Sequence, residues 1–301
     1  MVSMKVIEQV SLMQSICNDA LRPLVFVPTM GALHEGHASL ISHARELAGT
    51  SGTVAVSIFL NPKQFNIAKD LEWYPRPFEA DKALCQRTGV DLIFHPSVEE
   101  MYPCDTSIHV EENQLSQHLC GASRPGHFSG VVTVLTKLFN IVTPDRVLFG
   151  EKDWQQLVIA RRLVWNLNFP TEVISHPTVR EEDGLAMSSR NARLSLQDRS
   201  VASKIYEALR KTRTRTLEGE SNVSALLEST RGDLESIPNS IIDYIEIVDE
   251  QTLQPLKKII PSTTPARLLV AVKMGETRLI DNIGLTRMFH TDRDEKVAKL
   301  K

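Results

Sequence analysis

The sequence predicts an α/β protein: a Rossmann-like, doubly wound parallel sheet followed by a smaller C-terminal α+β domain. Three observations carry that prediction. Short apolar, β-branched runs alternate with segments of helical period through the first half of the chain. Polar turns follow three of those runs directly. Beyond about Val179 the alternation gives way to two helical patterns and then three strand patterns.

The elements follow in order. Leu24–Val27 reads as a buried parallel strand. Ala38–Ala48 places Leu40, Ile41, Ala44, Leu47 and Ala48 on one helical face. Thr53–Leu60 is almost wholly apolar, as a central strand should be. Pro77–Arg87 is a predicted helix with Phe78, Ala80, Ala83 and Leu84 inward, and Asp91–Phe94 a short strand. Phe128–Val142 is a long apolar helix that Pro144 stops. Arg146–Phe149 (strand), Trp154–Leu167 (helix) and Thr171–Ser175 (strand) complete the first domain, residues 1–178. In the second, residues 179–301, Leu196–Leu217 and Val223–Leu234 read as amphipathic helices. Ser240–Val248, Ala266–Lys273 and Thr277–Ile283 read as strands of a small sheet. Glu181–Gly184 is a charged, Gly-ended stretch suited to a hinge, and the tail His290–Lys301 is highly charged.

Composition bounds the function. A net charge of -3 offers no general attraction to nucleic acid. No apolar run approaches the ~20 residues that span a bilayer. The polar first nineteen residues lack a signal-peptide core, so the expected location is cytoplasmic. The four cysteines, Cys17, Cys85, Cys104 and Cys120, form no Cys-x-x-Cys pair, and reduced structural thiols are expected.

The most informative stretch is Pro28-Thr29-Met30-Gly31-Ala32-Leu33-His34-Glu35-Gly36-His37. It leaves a strand and opens a helix. A helix N-terminus offers unpaired N–H groups and partial positive charge, which suits a phosphate, and His34 and His37 can donate further bonds. Histidines three apart can also pair on a metal, but no His-Glu-x-x-His spacing or third ligand accompanies them.

Four later segments add chemistry, each with a bland alternative. Asn61-Pro62-Lys63-Gln64-Phe65 offers amides to a small polar substrate, or simply a turn. Gly121–Phe128 carries Arg124, suited to an anion, a solvated loop or a subunit contact. Gly150-Glu151-Lys152-Asp153-Trp154-Gln155-Gln156 again joins strand to helix. There Lys152 can neutralise phosphate, Asp153 can cap the helix, and Gln156 lies one turn in. Gly184–Asn191 carries Ser188, Ser189 and Arg190, a triphosphate-suited set or a Ser-rich cap.

Together, the His-x-Gly-His turn and the later Met-Ser-Ser-Arg resemble the nucleotidylyltransferase superfamily. The ordered set PTMGALHEGH, SIFLNPKQF, YPR, GASRPGHFSG, PDRVLFGEKDWQQL and DGLAMSSRN resembles one member, the pantothenate synthetase (pantoate–β-alanine ligase) family. The resemblance runs from about Val27 through RLLVAVKMGETRLIDNI. Two positions depart from the family pattern, Lys63 for a frequent Met and Pro77 for a common Thr.

The resemblance implies ATP-dependent condensation of (R)-pantoate with β-alanine, giving pantothenate, AMP and pyrophosphate through a pantoyl-adenylate. It places His34 and His37 on the ATP phosphates, with His37 the proton donor, and Lys152, Ser188, Ser189 and Arg190 opposite. It places Met30, Gly150, Asp153, Val179 and Met187 around adenosine, with Asp153 on a ribose hydroxyl. Gln64 and Gln156 would hold pantoate, with Asn61 near the reacting carboxylate or β-alanine. Mg²⁺ is implied on the phosphates, without a protein ligand set in view. A homodimer through the first domain and a lid-like second domain are also implied. Two rival readings remain: a nucleotidylyltransferase with a dinucleotide or CDP-alcohol product, and a non-catalytic nucleotide-binding protein.

Overall fold

The computed structural model describes residues 4–66, 68–105, 107–260 and 263–286; the charged tail 290–301 lies outside them. The elements are β1 (Lys5–Ile7), α1 (Val10–Asn18), β2 (Leu24–Thr29), α2 (Glu35–Ala48), β3 (Thr53–Ile58), α3 (Ala68–Glu72), α4 (Phe78–Arg87), β4 (Leu92–Phe94), α5 (Val98–Met101), α6 (Leu119–Ser123), α7 (His127–Val142), β5 (Arg146–Gly150), α8 (Trp154–Asn166) and β6 (Glu172–His176). They are followed by α9 (Leu196–Ala202), α10 (Lys204–Leu217), α11 (Val223–Glu235), β7 (Ser240–Asp249), β8 (Ala266–Met274) and β9 (Thr277–Gly284). The chain divides into two compact units. One comprises Met1–Glu182 and Ala186–Ala192, the other Asp183–Leu185 and Arg193–Lys301. Thus Ala186–Ala192, which the sequence groups with the second domain, packs with the first.

In the first unit the described strands form a parallel sheet in the order β1-β4-β3-β2-β5-β6. From β2 the chain winds outward through β3 and β4, then returns to β5 on the other side. The strand order therefore reverses between β2 and β5. At that point the loops after the two strands diverge and leave a crevice at the carboxyl edge. Central position explains composition: every residue of β3 is buried, as are Leu24–Val27 of β2. Packing against one face of the sheet, α2 buries Ala38, Leu40, Ile41, Ala44 and Ala48, the stripe its 3.6-residue period predicts.

Three local differences from the sequence reading have physical causes. The edge strand β1 has only Ile7 buried, too short a pattern to carry a period. In α4 the inward residues are Asp81, Leu84 and Cys85, with Phe78 half-buried, whereas Ala80 and Ala83 are not buried. A carboxylate is turned inward there because backbone N–H groups await it, as shown below. The predicted helix Leu196–Leu217 breaks at Ser203, where the Tyr206 N–H bonds back to the Ser203 carbonyl, three residues away.

The second unit pairs β7, β8 and β9 as an antiparallel sheet. Ile205 and Leu209 of α10 and Leu226 and Leu234 of α11 share its core with Ile247, Leu268 and Val270. Within this unit the buried Arg267 meets Glu250 at 3.0 Å and Asn282 Oδ1 at 2.6 Å, so its charge is paired.

One close approach in the first unit sets the geometry of the crevice. The 3₁₀ turn Pro62–Gln64 lies against α7 at Gly130. A Cβ on Gly130 would stand 2.2 Å from the Lys63 carbonyl oxygen and 2.7 Å from the Gln64 nitrogen. Gly130→Ala is expected to push the turn off the helix and destabilise the first unit by about 1–3 kcal/mol. Urea unfolding of the variant checks this; wild-type stability would mean the turn moves freely.

Candidate active site

A cleft opens at the β2/β5 switch point, and its lining comes entirely from the first unit. All fourteen site residues expected from the sequence line it. Met30, His34 and His37 arrive from the β2–α2 junction, and Asn61 and Gln64 from the turn after β3. Gly150, Lys152, Asp153 and Gln156 come from the β5–α8 junction. Val179, Met187, Ser188, Ser189 and Arg190 follow β6. There the Met187 N–H donates to the Val179 carbonyl (3.0 Å) and Arg180 bridges to Ala186, so the chain folds back and returns the serines to the sheet edge.

The two histidines cap their own helix. His34 is the N-cap of α2, and its Nδ1 accepts the Gly36 N–H at 3.2 Å. His37 Nδ1 accepts the His34 N–H at 3.2 Å. A ring nitrogen that accepts a backbone N–H carries no proton, so each neutral ring keeps its hydrogen on Nε2. The rings lie 4.1 Å apart between centroids. Gly36 permits this, since a Cβ there would meet His34 Nδ1 at 2.9 Å.

Burial lowers the pKa of both, and Lys152 lowers it further; His37, with His34 beside it, falls to about 3. The expected phosphate-binding N–H groups are thus partly spent, because the Gly36 N–H is already bonded to an imidazole. The turn offers anions neutral Nε2–H donors and the helix dipole rather than a ring of free amides.

The amide pair after β3 is locked. Asn61 is 1% exposed. Its Nδ2 donates to Gln64 Oε1 and to the Gly130 carbonyl, both at 3.0 Å. Its Oδ1 accepts the Tyr102 hydroxyl (2.9 Å) and the Lys63 N–H (3.3 Å). With four bonds the Asn61 amide is saturated, and one of them orients Gln64. Gln64 Nε2 reaches Met30 Sδ at 2.7 Å, tying the two junctions together.

Sequence reasoning missed several contributors. His127 Nδ1 donates to the Gln64 carbonyl at 2.8 Å, and Arg124 donates to His127 Nε2 at 3.0 Å. Arg124 therefore braces the site wall. Burial, with Arg124 adjacent, takes the His127 pKa down to about 3. Tyr74, in the YPR motif, and His176, at the end of β6, both line the cleft. His176 bonds Ser39 Oγ (2.8 Å) and His43 (3.2 Å). Asp81 falls outside the inward face predicted for its helix. Its spacing, three after Phe78 and three before Leu84, is the signal that places it inward.

Charge in the cleft is asymmetric. Lys152 lies 3.7 Å from Asp153. The cleft walls partly desolvate Asp153, whose side chain is still 49% accessible, and Lys152 and Arg190 hold its pKa below the ordinary value and the carboxylate ionised. Val131, Val134, Leu135 and Leu138 of α7 give the same cleft an apolar wall.

A doubly wound sheet with a switch-point cleft of cationic and Nε2–H donors defines a nucleotide-dependent enzyme of the Rossmann-like class. A family model described as pantoate-beta-alanine ligase matches residues 5–284. The chain is 50% identical over 282 residues to the pantothenate synthetase of Thermotoga petrophila, covering 93% of this chain and 99% of that one. The Akkermansia muciniphila protein of the same name is 50% identical over 262 residues, 87% and 92% of the two chains. The crystal structure of pantothenate synthetase from Thermus thermophilus superposes with a TM-score of 0.87 at 44% identity, covering 94% of this chain and 100% of that one. A Francisella tularensis pantoate-beta-alanine ligase complexed with beta-gamma ATP and beta-alanine gives 0.75 at 34% identity, over 94% and 98%. The chain belongs to the pantoate–β-alanine ligase family.

The locked tautomer of His37 is directly measurable. Its folded pKa of about 3 lies below the ordinary 6.5. The fold therefore favours the neutral ring, a contribution fully present above pH 6.5 and lost as pH falls toward 3. Side-chain ¹⁵N spectra are expected to show His37 as the Nε2–H form from about pH 8 to about pH 5. A titration centred near 6.5 would contradict the cap.

Proposed function

We propose that this cleft activates pantoate with ATP and passes the acyl group to β-alanine. The observation that carries this is the convergence of all fourteen motif residues on one switch-point cleft in a chain of this family. A pantoate carboxylate oxygen attacks the α-phosphorus, and the bond to pyrophosphate breaks. The β-alanine amine then attacks the acyl carbon, AMP leaves with the bonding pair, and the amine loses a proton. Charge grows on the α-phosphate and the leaving pyrophosphate, so donors aimed there stabilise the transition state more than the ground state.

In this reading the Nε2–H groups of His34 and His37 donate to phosphate oxygens. His37 acts as a neutral hydrogen-bond donor instead of the proton donor expected from the resemblance, because protonating its ring would break the cap. Lys152, Arg190, Ser188 and Ser189 hold the phosphates from the other side. Met30, Gly150, Val179 and Met187 line the adenosine, and Asp153, kept ionised, accepts a ribose hydroxyl. Gln64 and Gln156 meet the polar groups of pantoate, and the α7 wall takes its geminal methyls. Asn61 acts through Gln64.

Among the described residues no three His, Cys, Asp or Glu side chains are placed to hold a metal. The charged lining is mainly cationic, so a resident Mg²⁺ does not fit. Any Mg²⁺ enters with ATP as part of that substrate. The proposal includes a homodimer through the first unit and a cytoplasmic location, tested by light scattering and cell fractionation. No helix among the described residues is long and apolar enough to cross a membrane.

The deciding experiment is ATP–pyrophosphate exchange. Exchange that requires pantoate supports the proposal; exchange without it favours a nucleotidylyltransferase. ATP binding with no exchange favours a non-catalytic role. Within the assay, His37→Ala and Lys152→Ala are each expected to lower exchange about 10²–10³-fold with the fold intact. Near wild-type rates would remove these residues from the mechanism.

A further inference from the structure

We propose that Asp81 is a positioning residue for the nucleotide site: its buried carboxylate clamps the Gly31–Leu33 turn and so fixes where His34 and His37 stand. Asp81 is 2% exposed, on α4, far along the chain from the turn. Its Oδ2 accepts the Ala32 N–H at 2.8 Å and its Oδ1 accepts the Leu33 N–H at 2.7 Å. Two successive amides thus close on the two oxygens of one carboxylate, the arrangement of an anion nest.

The turn needs such a clamp. Gly31 and Ala32 are both left-handed, with φ of 81° and 52°. A side-chain-bearing residue such as Ala32 disfavours that region, so the conformation persists only where its surroundings impose it. Gly31 also leaves room for the carboxylate, since a Cβ there would meet Asp81 Oδ2 at 2.9 Å. The next residue after Leu33 is His34, whose backbone and ring make the reciprocal cap. Any drift of the turn therefore moves both imidazoles.

A buried carboxylate is costly, and among the described residues no Lys or Arg forms an ion pair with it. A Leu would fill the same helix face at less cost. The N–H pair is what the carboxylate gains, and holding the turn is what that pair does. The clamp has a second consequence. The nest nearest the strand end is occupied by protein, so a phosphate must bind beyond it, at the Nε2–H groups.

This inference rests on adenylation at the same cleft, and the test separates the two. Asp81→Asn keeps the shape but turns an amide N–H toward a backbone donor. In the full chain, with folding checked by circular dichroism, pantoate-dependent pyrophosphate exchange is expected to fall about 10–100-fold. In a background lacking both rings (His34→Ala with His37→Ala) the same change should cost under about 3-fold, because the groups the clamp positions are gone. Side-chain ¹⁵N spectra should show the His34 and His37 signals displaced in D81N. Wild-type exchange, equal losses in both backgrounds, or unmoved histidine signals would overturn the proposal.

If D81N does not fold, Gly31→Ala presses on the same oxygen from the turn side. It is expected to give the same displacement and loss, and wild-type behaviour overturns the clamp. Absent exchange in the unmutated chain would sink the functional reading alone, with the histidine spectra still deciding the clamp.

Discussion

The β2–α2 side of this site depends on one small exchange of hydrogen bonds at the start of α2. His34 and His37 each give Nδ1 to a backbone N–H. That choice sets everything else about the two rings. It satisfies N–H groups that would otherwise need solvent. It fixes the hydrogen on Nε2, and it forbids the imidazolium without loss of the cap. It also requires glycine at position 36, because the His34 ring occupies the space a side chain would take.

Neutral rings suit their neighbours. Lys152 already supplies positive charge beside the rings, and two imidazolium ions 4.1 Å apart would repel both each other and that ammonium. Asp153 works in the opposite sense. Partial desolvation opposes its charge, yet the surrounding cations keep it ionised. The cleft thus sets two permanent cations, two neutral N–H donors and one ionised carboxylate side by side.

Much of this was legible in the sequence because its signals are local. The wholly buried β3 announces itself by β-branched residues, and the strand–turn–helix junctions by glycine and polar residues after an apolar run. What escaped was long-range pairing. Asp81 reads as one more acidic helix residue until the Ala32 and Leu33 amides are placed beside it. Asn61 reads as a substrate amide or a turn residue, and only the fold shows Tyr102, Gly130, Lys63 and Gln64 bonded to its amide. His127 falls inside a quoted motif, but only the fold shows that it grips a main-chain carbonyl. The break at Ser203 leaves the helical period on both sides intact, so periodicity passes over it.

The two halves of the cleft are consequently held by different physics. On the β2–α2 side, a turn with two left-handed residues is held by a carboxylate and leads into two rings. On the β3 side, Gln64 is fixed by its side chain through Asn61 and by its carbonyl through His127 and Arg124. The Met30–Gln64 contact joins the halves, so neither can shift without the other feeling it. An acyl-adenylate survives only while the two substrates meet in one geometry and water is kept out. A site rigid at both ends and coupled at the middle meets that demand before either substrate arrives.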